Sequence, residues 1–147
     1  MRHQVFGRKL NRDVKERKAL FRSLISALIT KGKIKTTLAK ARAVRGLAEK
    51  LVTLAKKETS SAKMKLTSFL IKSDLVKKIT EVIAPKFLDR KGGYVRIRRI
   101  RQRLGDSAEE VFLEWTFAKE EVKNLKTEKK PVKKEEKKEE TEKIKKS

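Results

Sequence analysis

The hydrophobic residues of this chain change their spacing once, and that change constrains the fold more than any other feature. From residue 14 to residue 83 they recur at intervals of three and four, as on one face of an α-helix. After Gly92-Gly93 they alternate with basic residues, as on a strand with one buried face. We therefore predict an α+β domain, in which a four-helix-rich body packs on a small two- to three-stranded sheet.

Four amphipathic segments make up the predicted helical body, and residues typical of helix ends mark their limits. The predicted boundaries, in chain order, are 14–30 with Asp13 as N-cap and Gly32 as stop, 38–56, a third helix capped by Ser60 or Ser61, and a fourth capped by Asp74 and closed by Pro85. Their apolar stripes assign several large side chains to the core, among them Leu47, Phe69 and Val82.

The alternating part of the sequence predicts a β-hairpin. Its predicted parts, in chain order, are a strand from Tyr94 to Arg98, a turn at Gly105-Asp106 and a returning strand over 111–117. Ile100 falls out of phase with the alternation, and a β-bulge is one explanation. Because two strands alone are only marginally stable in water, the short extended stretch 33–36 is a candidate third strand.

Charge divides the chain into two parts. The sequence holds 42 Lys and Arg against 19 Asp and Glu, a net charge of +23, of which residues 1–118 carry +19. We expect 1–118 to be a nucleic-acid-binding domain with an extended basic arm over 1–12, because such an excess repels itself until a polyanion neutralises it. Residues 119–147 contain 12 Lys, 8 Glu and no Arg. With so few apolar residues, they are expected to form a disordered Lys/Glu-rich tail.

The sequence lacks the residues that most catalytic and metal sites need. It has one His, His3, and no Cys, so neither a His-based triad nor a thiolate zinc site can be assembled. No Gly-rich phosphate loop is present, and no run approaches the roughly 18 apolar residues of a membrane span. We therefore expect no enzyme activity, cofactor, metal, small-molecule substrate or membrane partner, and a cytoplasmic location.

Basic residues concentrate in three places. The first is the N-terminal arm with the start of the first helix, which holds Arg2, Arg8, Lys9, Arg12, Lys15, Arg17 and Lys18. The second is one face of the second helix, which holds Lys40, Arg42, Arg45, Lys56 and Lys57. The third is the hairpin with its approach, which holds Arg90, Lys91, Arg96, Arg98, Arg99, Arg101 and Arg103.

These three clusters indicate RNA contact to different degrees. Arginine grips phosphate oxygens with a planar fork, and an Arg-rich arm can order inside RNA, although a solubilising arm is the alternative. A basic helix face is also common on proteins that bind nothing. In the hairpin, like charges at alternate positions share one face and repel each other unless an anion lies against them. We therefore predict that the hairpin contacts RNA, and we favour RNA contact for the arm because arginine is frequent there and absent from the tail.

Several short motifs resemble the bacterial large-subunit ribosomal protein family seventeen, the L-seventeen family. They keep the order and approximate spacing of that family from residue 1 to about residue 117. The motifs are Met1-Arg2-His3, Gly7-Arg8-Lys9-Leu10, Arg17-Lys18-Ala19-Leu20, Ile34-Lys35-Thr36-Thr37-Leu38-Ala39-Lys40-Ala41, Ala48-Glu49-Lys50-Leu51, Ile83-Ala84-Pro85, Asp89-Arg90, Gly92-Gly93-Tyr94, and Arg103 with Gly105-Asp106. Glu16 departs from the family, whose members often carry His there, and the tail has no matching motif.

The resemblance implies a ribosome-bound structural protein that assembles onto large-subunit ribosomal RNA beside other large-subunit proteins, near the side where the nascent peptide leaves. In that family the basic arm and the basic loops are buried against RNA. Carried over by motif, the implied contact residues are Arg2, His3, Arg8, Lys9, Arg12, Arg17, Lys18, Arg22, Lys40, Arg42, Arg45, Tyr94, Arg96 and Arg98.

Two other classes of protein remain as alternatives. The first is a free nucleic-acid-binding regulator with a helix-turn-helix formed by the first two helices. That motif joins its helices by a turn of three or four residues, whereas 31–37 is longer and strand-like. The second is a basic enzyme that acts on RNA, and the missing His, Cys and paired acids argue against it.

Overall fold

The computed structural model of the protein describes residues 7–117, so the predicted tail and the first six residues of the arm lie outside the described part. Its elements, in chain order, are α1 (Val14–Lys31), β1 (Lys33–Thr37), α2 (Leu38–Lys56), α3 (Ser60–Leu70), α4 (Ser73–Lys77, continued by a π-helical turn over Lys78–Ile83), a 3₁₀ turn (Pro85–Phe87), β2 (Val95–Gln102) and β3 (Glu109–Trp115). The predicted α+β architecture is confirmed.

The three strands form one antiparallel sheet in the order β1-β3-β2. The candidate third strand is confirmed, because β1 pairs with β3 from Lys33 opposite Glu114 to Thr37 opposite Glu110. The register between β2 and β3 shifts between Arg99 and Arg101, so the bulge that explains the phase of Ile100 is confirmed. Since β1 separates α1 from α2, these two helices do not form a helix-turn-helix.

Both predicted ends of α1 are confirmed. Asp13 has the extended backbone of an N-cap, and its N–H donates to the Glu16 carboxylate at 3.3 Å. Gly32 adopts the left-handed conformation, with φ 73°, and its N–H donates to the Leu28 carbonyl. Glycine meets this conformation without steric cost, which ends the helix and turns the chain into β1. Glu16 thus has a structural role at the helix start.

The predicted N-caps of α3 and α4 are wrong by one or two residues. The N-cap of α3 is Thr59, whose hydroxyl accepts the Ala62 N–H at 3.3 Å, while Ser60 already lies inside the helix. The N-cap of α4 is Lys72, so Asp74 lies in the first turn. There its carboxylate still faces the positive end of the helix dipole.

The predicted stop at Pro85 is only partly correct. The helix ends at Ile83, but Ala84 keeps helical angles (φ −59°, ψ −42°) and Pro85 begins the 3₁₀ turn. Proline is tolerated there because the N–H groups in the first turn of a helix have no partner within the helix. The missing N–H of proline therefore costs no hydrogen bond. In the preceding segment the Ala84 N–H reaches the Ile79 carbonyl, five residues back. This wider turn leaves Val82 47% exposed, against its predicted burial.

The core lies between the helices and the inner face of the sheet, against which α2 packs. Trp115 is 1% exposed and its indole N–H donates to the Leu28 carbonyl of α1 at 3.2 Å. The Phe87 ring lies between Trp115 and Tyr94, with centroids 6.3 and 5.0 Å away. The core assignments of Leu47 and Phe69 are wrong, because both side chains are only half-buried.

Candidate nucleic-acid interface

The structure distributes the predicted contact residues over several surfaces. Arg2 and His3 lie outside the described residues. Within the arm, Leu10 and Asn11 are not extended as predicted but form a turn, with φ 53° and 51°. The Arg12 guanidinium donates to the Leu10 carbonyl of that turn at 3.0 Å. The turn folds the described part of the arm back toward the helices instead of continuing it outward.

Where the arm meets α1 and α2, the surface forms a concave site that we call the arm–helix cleft. Its volume is about 860 Å³, within the range of ordinary ligand pockets. The lining residues are Gly7, Arg8, Lys9, Arg17, Phe21, Arg42, Ala43, Gly46, Leu47 and Lys50. Half of them are Lys or Arg and none is acidic, so the cleft brings together bases that the sequence places in two separate clusters.

The cations of the cleft form no direct pair with an acid of the described residues. Within residues 7–117, the side chains of Arg8, Lys9, Arg17, Arg42 and Lys50 take part in no hydrogen bond or ion pair. Like charges held in one concave surface reinforce each other's field and raise the local concentration of anions. The arrangement therefore suits a polyanion whose phosphates take the place of the missing carboxylates.

Sequence reasoning missed six of the ten lining residues of the cleft, among them Phe21, Gly46 and Lys50. The signal for Lys50 was present, because Arg42, Gly46 and Lys50 are four residues apart and share one face of α2. Phe21 lies on a predicted core row of α1, but it is only half-buried and lines the cleft. Nothing in the helical periodicity distinguishes it from the buried residues of that row.

On the described helices, two predicted contact residues have structural partners. The Arg22 Nε donates to the Phe69 carbonyl at 2.7 Å, close to the end of α3, where helix carbonyls lack partners within the helix. The Arg45 Nε pairs with the Glu49 carboxylate one turn along α2 at 3.3 Å. Lys18 lies beside Arg22 at a shallower recess that α3 also lines, while Lys40 is half-exposed near the start of α2.

On the outer face of the sheet, two acidic residues of the central strand neutralise bases from both neighbours. Glu114 is 5% exposed, and it pairs with Arg96 at 2.8 Å and with Lys33 and Arg98 at 3.9 Å. The repulsion expected between the hairpin arginines is therefore relieved inside the protein.

The second acid of this face, Glu110, is 9% exposed because β3 is the central strand. Its carboxylate pairs with Lys35 at 2.7 Å and Arg101 at 3.6 Å. The Lys35 ammonium is the main cause that lowers the pKa of Glu110. Arg99 has no such carboxylate among the described residues, and with Arg98 and Arg101 it remains exposed to a partner.

The residues that lead into β2 hold the sheet on the helices. Tyr94 is 2% exposed, and its hydroxyl donates to the Arg90 carbonyl at 3.1 Å. The Lys56 ammonium of α2 donates to the same carbonyl at 2.6 Å. Arg90 itself donates to the Thr116 hydroxyl at 2.9 Å. Burial leaves the Tyr94 ring no surface for a nucleotide, so the structure contradicts its predicted contact with RNA.

At the tip of the hairpin, Arg103 is held by an acidic partner. Its guanidinium donates to both carboxylate oxygens of Asp106, at 3.0 and 2.6 Å. These bonds, with help from the Ala108 N–H, lower the pKa of Asp106 to about 2. The pair closes the turn that the sequence predicts at Gly105-Asp106, and it orients Arg103 without occupying all of its N–H groups.

The depressed pKa of Asp106 makes the hairpin sensitive to acid. A carboxyl whose pKa is lower in the folded state stabilises the fold above its ordinary pKa, here 3.8, and that contribution disappears as the pH falls through about 2. We expect Arg103→Gln to raise the titration midpoint of Asp106 toward 3.8 in a carboxyl-carbon NMR titration. Lys91→Gln, which removes a distant exposed charge, serves as the control. Equal midpoints in both variants would contradict the assignment.

The part of the chain that the structure describes offers neither a metal site nor a membrane span. Among residues 7–117, no three His, Cys, Asp or Glu side chains come together in a way that could hold a metal ion. In the same range, none of the helices combines the length and the apolar character required to cross a membrane.

Comparison with known proteins agrees with the resemblance carried by the motifs. The family model described as ribosomal protein L17 matches residues 20–116. The large ribosomal subunit protein bL17 of Thermodesulfovibrio yellowstonii is 46% identical over 131 residues, covering 88% of this chain and 98% of the relative. The bL17 proteins of Koribacter versatilis and Dictyoglomus turgidum are each 43% identical, covering 78% of this chain and 71% and 99% of themselves. The chain therefore belongs to the ribosomal protein L17 family, whose members are structural, non-enzymatic components of the ribosome.

Proposed function

We propose that this chain is a structural constituent of the large ribosomal subunit, and that it binds large-subunit ribosomal RNA chiefly through its arm and the arm–helix cleft. The observation that carries the proposal is the contrast between the two basic surfaces. The cleft collects five cations without an acid, whereas Glu110 and Glu114 neutralise much of the outer sheet face. Phosphate contacts supply most of the affinity of such proteins for RNA.

The remaining exposed arginines of the hairpin form a second contact in this proposal. Arg98, Arg99 and Arg101 project from β2, and Arg103 is oriented at the tip by Asp106. Arg103 lines a second recess together with Arg8 and Arg42 of the cleft, so the hairpin tip extends the same basic surface. The named relatives are large-subunit proteins. From the resemblance we also propose that the chain contacts neighbouring ribosomal proteins and lies near the side where the nascent peptide leaves. Its proposed location is on the ribosome in the cytoplasm.

Sedimentation tests the proposal against a free nucleic-acid-binding regulator. We expect the chain, expressed with a small tag, to migrate with large subunits through a sucrose gradient at high salt. A protein held by many ordered phosphate contacts inside a folded RNA exchanges slowly, whereas a regulator bound mainly by screened charge dissociates. Recovery of the chain only at the top of the gradient would contradict the proposal.

The same gradients test our proposal that residues 1–118 form the RNA-binding domain and that 119–147 are accessory. The segment 119–147 has no Arg, and its 12 Lys are offset by 8 Glu. Its electrostatic attraction to phosphate is therefore weak for its length. A chain that ends at Ala118 should migrate with large subunits almost as fully as the whole chain. Loss of association in that chain alone would refute the accessory role and leave the ribosomal assignment intact.

A further inference from the structure

A glycine in the interior of α2 has no explanation within the protein. Gly46 lies near the middle of this 19-residue helix, where glycine is less favourable than alanine by about 1 kcal/mol. Its φ is not positive, and a Cβ built on it would meet no atom within 4 Å. Neither a turn nor the close approach of another part of the described chain therefore requires glycine at this position.

The position of Gly46 in the arm–helix cleft supplies a reason. Gly46 lines the cleft one helical turn from Arg42 and from Lys50, and Phe21 and Leu47 line it as well. The absence of a side chain leaves the α2 backbone exposed in a basic, partly apolar site. A glycine of this kind allows a ligand to approach the backbone closely.

We propose that the arm–helix cleft receives a single unstacked nucleotide of the large-subunit RNA, with its base against Gly46 and Phe21. This inference rests on the proposed function and adds the form in which RNA enters the site. The lining cations, Arg8 and Arg42 among them, hold the flanking phosphates, and the apolar part of the lining holds the base. Single-stranded loops and bulges offer such bases, which proteins bind by stacking on aromatic rings.

The composition of the site favours a nucleotide over other occupants. A peptide or another protein would need acidic groups to neutralise five cations, and it would gain nothing from a bare backbone between two of them. A continuous RNA duplex presents phosphates, sugars and the base edges of a shallow minor groove, but its stacked bases offer no free planar face to the Phe21 ring. An extruded base flanked by its own phosphates fits both features, because it brings a free planar face together with negative charges.

Substitution of Gly46 by alanine is expected to raise the stability of the free protein and to lower its affinity for RNA. Gly46→Ala should raise the thermal midpoint of the free chain by roughly 2–5 °C, because alanine favours the helix and meets no atom. We expect the same change to weaken binding to deproteinised large-subunit RNA about threefold, and Gly46→Leu to weaken it at least tenfold. Thr53→Leu is the matched control, since it places the same leucine side chain at an exposed position of α2 outside the cleft.

Chemical probing of the bound RNA identifies the occupant. The wild-type chain should protect the Watson–Crick edge of one unpaired base, and Gly46→Leu should lose that protection while keeping most of the footprint. Unchanged affinity and protections in Gly46→Leu would overturn the inference, as would a change confined to ribose and phosphate positions. Failure of the wild-type chain itself to bind this RNA would instead refute the proposed function.

Discussion

Replacing Arg8, Arg42 and Lys50 together with Gln is expected to weaken binding to large-subunit ribosomal RNA roughly 100-fold at moderate salt. These side chains meet at the arm–helix cleft and have no partner among the described residues. Their removal therefore breaks no ion pair of the protein, and the free energy of unfolding should change little. The slope of log affinity against log salt should become flatter by about 0.7–0.9 for each phosphate that the variant no longer neutralises.

A second triple variant controls for the general loss of charge. Lys57→Gln, Lys63→Gln and Lys77→Gln remove the same charge from exposed positions that line none of the basic recesses. We expect this variant to bind RNA within a few-fold of the wild type, with a nearly unchanged slope. Equal weakening in the two triple variants would mean that the net charge alone governs binding, and it would contradict the role of the cleft.

Trp115→Ala should cause the largest loss of stability of any single change in the sheet. The side chain is 1% exposed, contacts the Phe87 ring and donates its N–H to the Leu28 carbonyl. It therefore joins the sheet to α1 and to the 3₁₀ turn. We expect the free energy of unfolding to fall by about 3–5 kcal/mol in urea denaturation followed by circular dichroism. That is a large share of the total for a small domain.

Two further variants show which part of this loss comes from the cavity. Trp115→Phe keeps much of the volume and removes the indole hydrogen bond, while the Leu28 carbonyl still accepts the Gly32 N–H, so a smaller loss of about 1–3 kcal/mol is expected. Leu104→Ala, at the hairpin tip where the side chain is 94% exposed, should cost less than about 0.5 kcal/mol. If Trp115→Ala cost no more than Leu104→Ala, the described core would be incorrect.

The order and type of the elements could be predicted from the sequence because they depend on local spacing. The helical intervals up to residue 83, the glycines before β2 and the out-of-phase Ile100 each report on neighbouring residues in the chain. The exact caps depend instead on one hydrogen bond each, and several Ser, Thr and Asp residues compete for it. The sequence therefore does not distinguish Thr59 from Ser60 as the N-cap of α3. The π-helical turn that exposes Val82 cannot be recognised from the spacing of the apolar residues.

The outer sheet face shows why charge clusters are harder to interpret. The alternation of β2 predicts correctly that Arg96 and Arg98 share a face, but only the strand order reveals what lies opposite them. Glu114 belongs to the central strand and approaches both arginines as well as Lys33. A basic strand can therefore be neutralised by the adjacent strand, and its charge alone does not predict an RNA contact.

The arm–helix cleft depends on the tertiary structure even more strongly. The sequence predicts RNA contacts for Arg8, Arg17 and Arg42. These predictions rest on two separate basic clusters and on family motifs, and they do not place the three residues together. Only the turn at Leu10 and the packing of α1 beside α2 bring them to one site. The importance of Gly46 appears only when the space around it is known, since a helical glycine in a sequence has no other distinguishing feature.

Ultraviolet crosslinking of intact large subunits, followed by mass spectrometry of the RNA-bound peptides, tests the central claim most directly. We expect crosslinked nucleotides on the α1 peptide that contains Phe21 and on the α2 peptide that contains Gly46, with additional ones on β2. Aromatic side chains in contact with bases should give the strongest signals. Crosslinks confined to the β2–β3 hairpin, with none on α1 or α2, would contradict the assignment of the arm–helix cleft as the principal RNA-binding site.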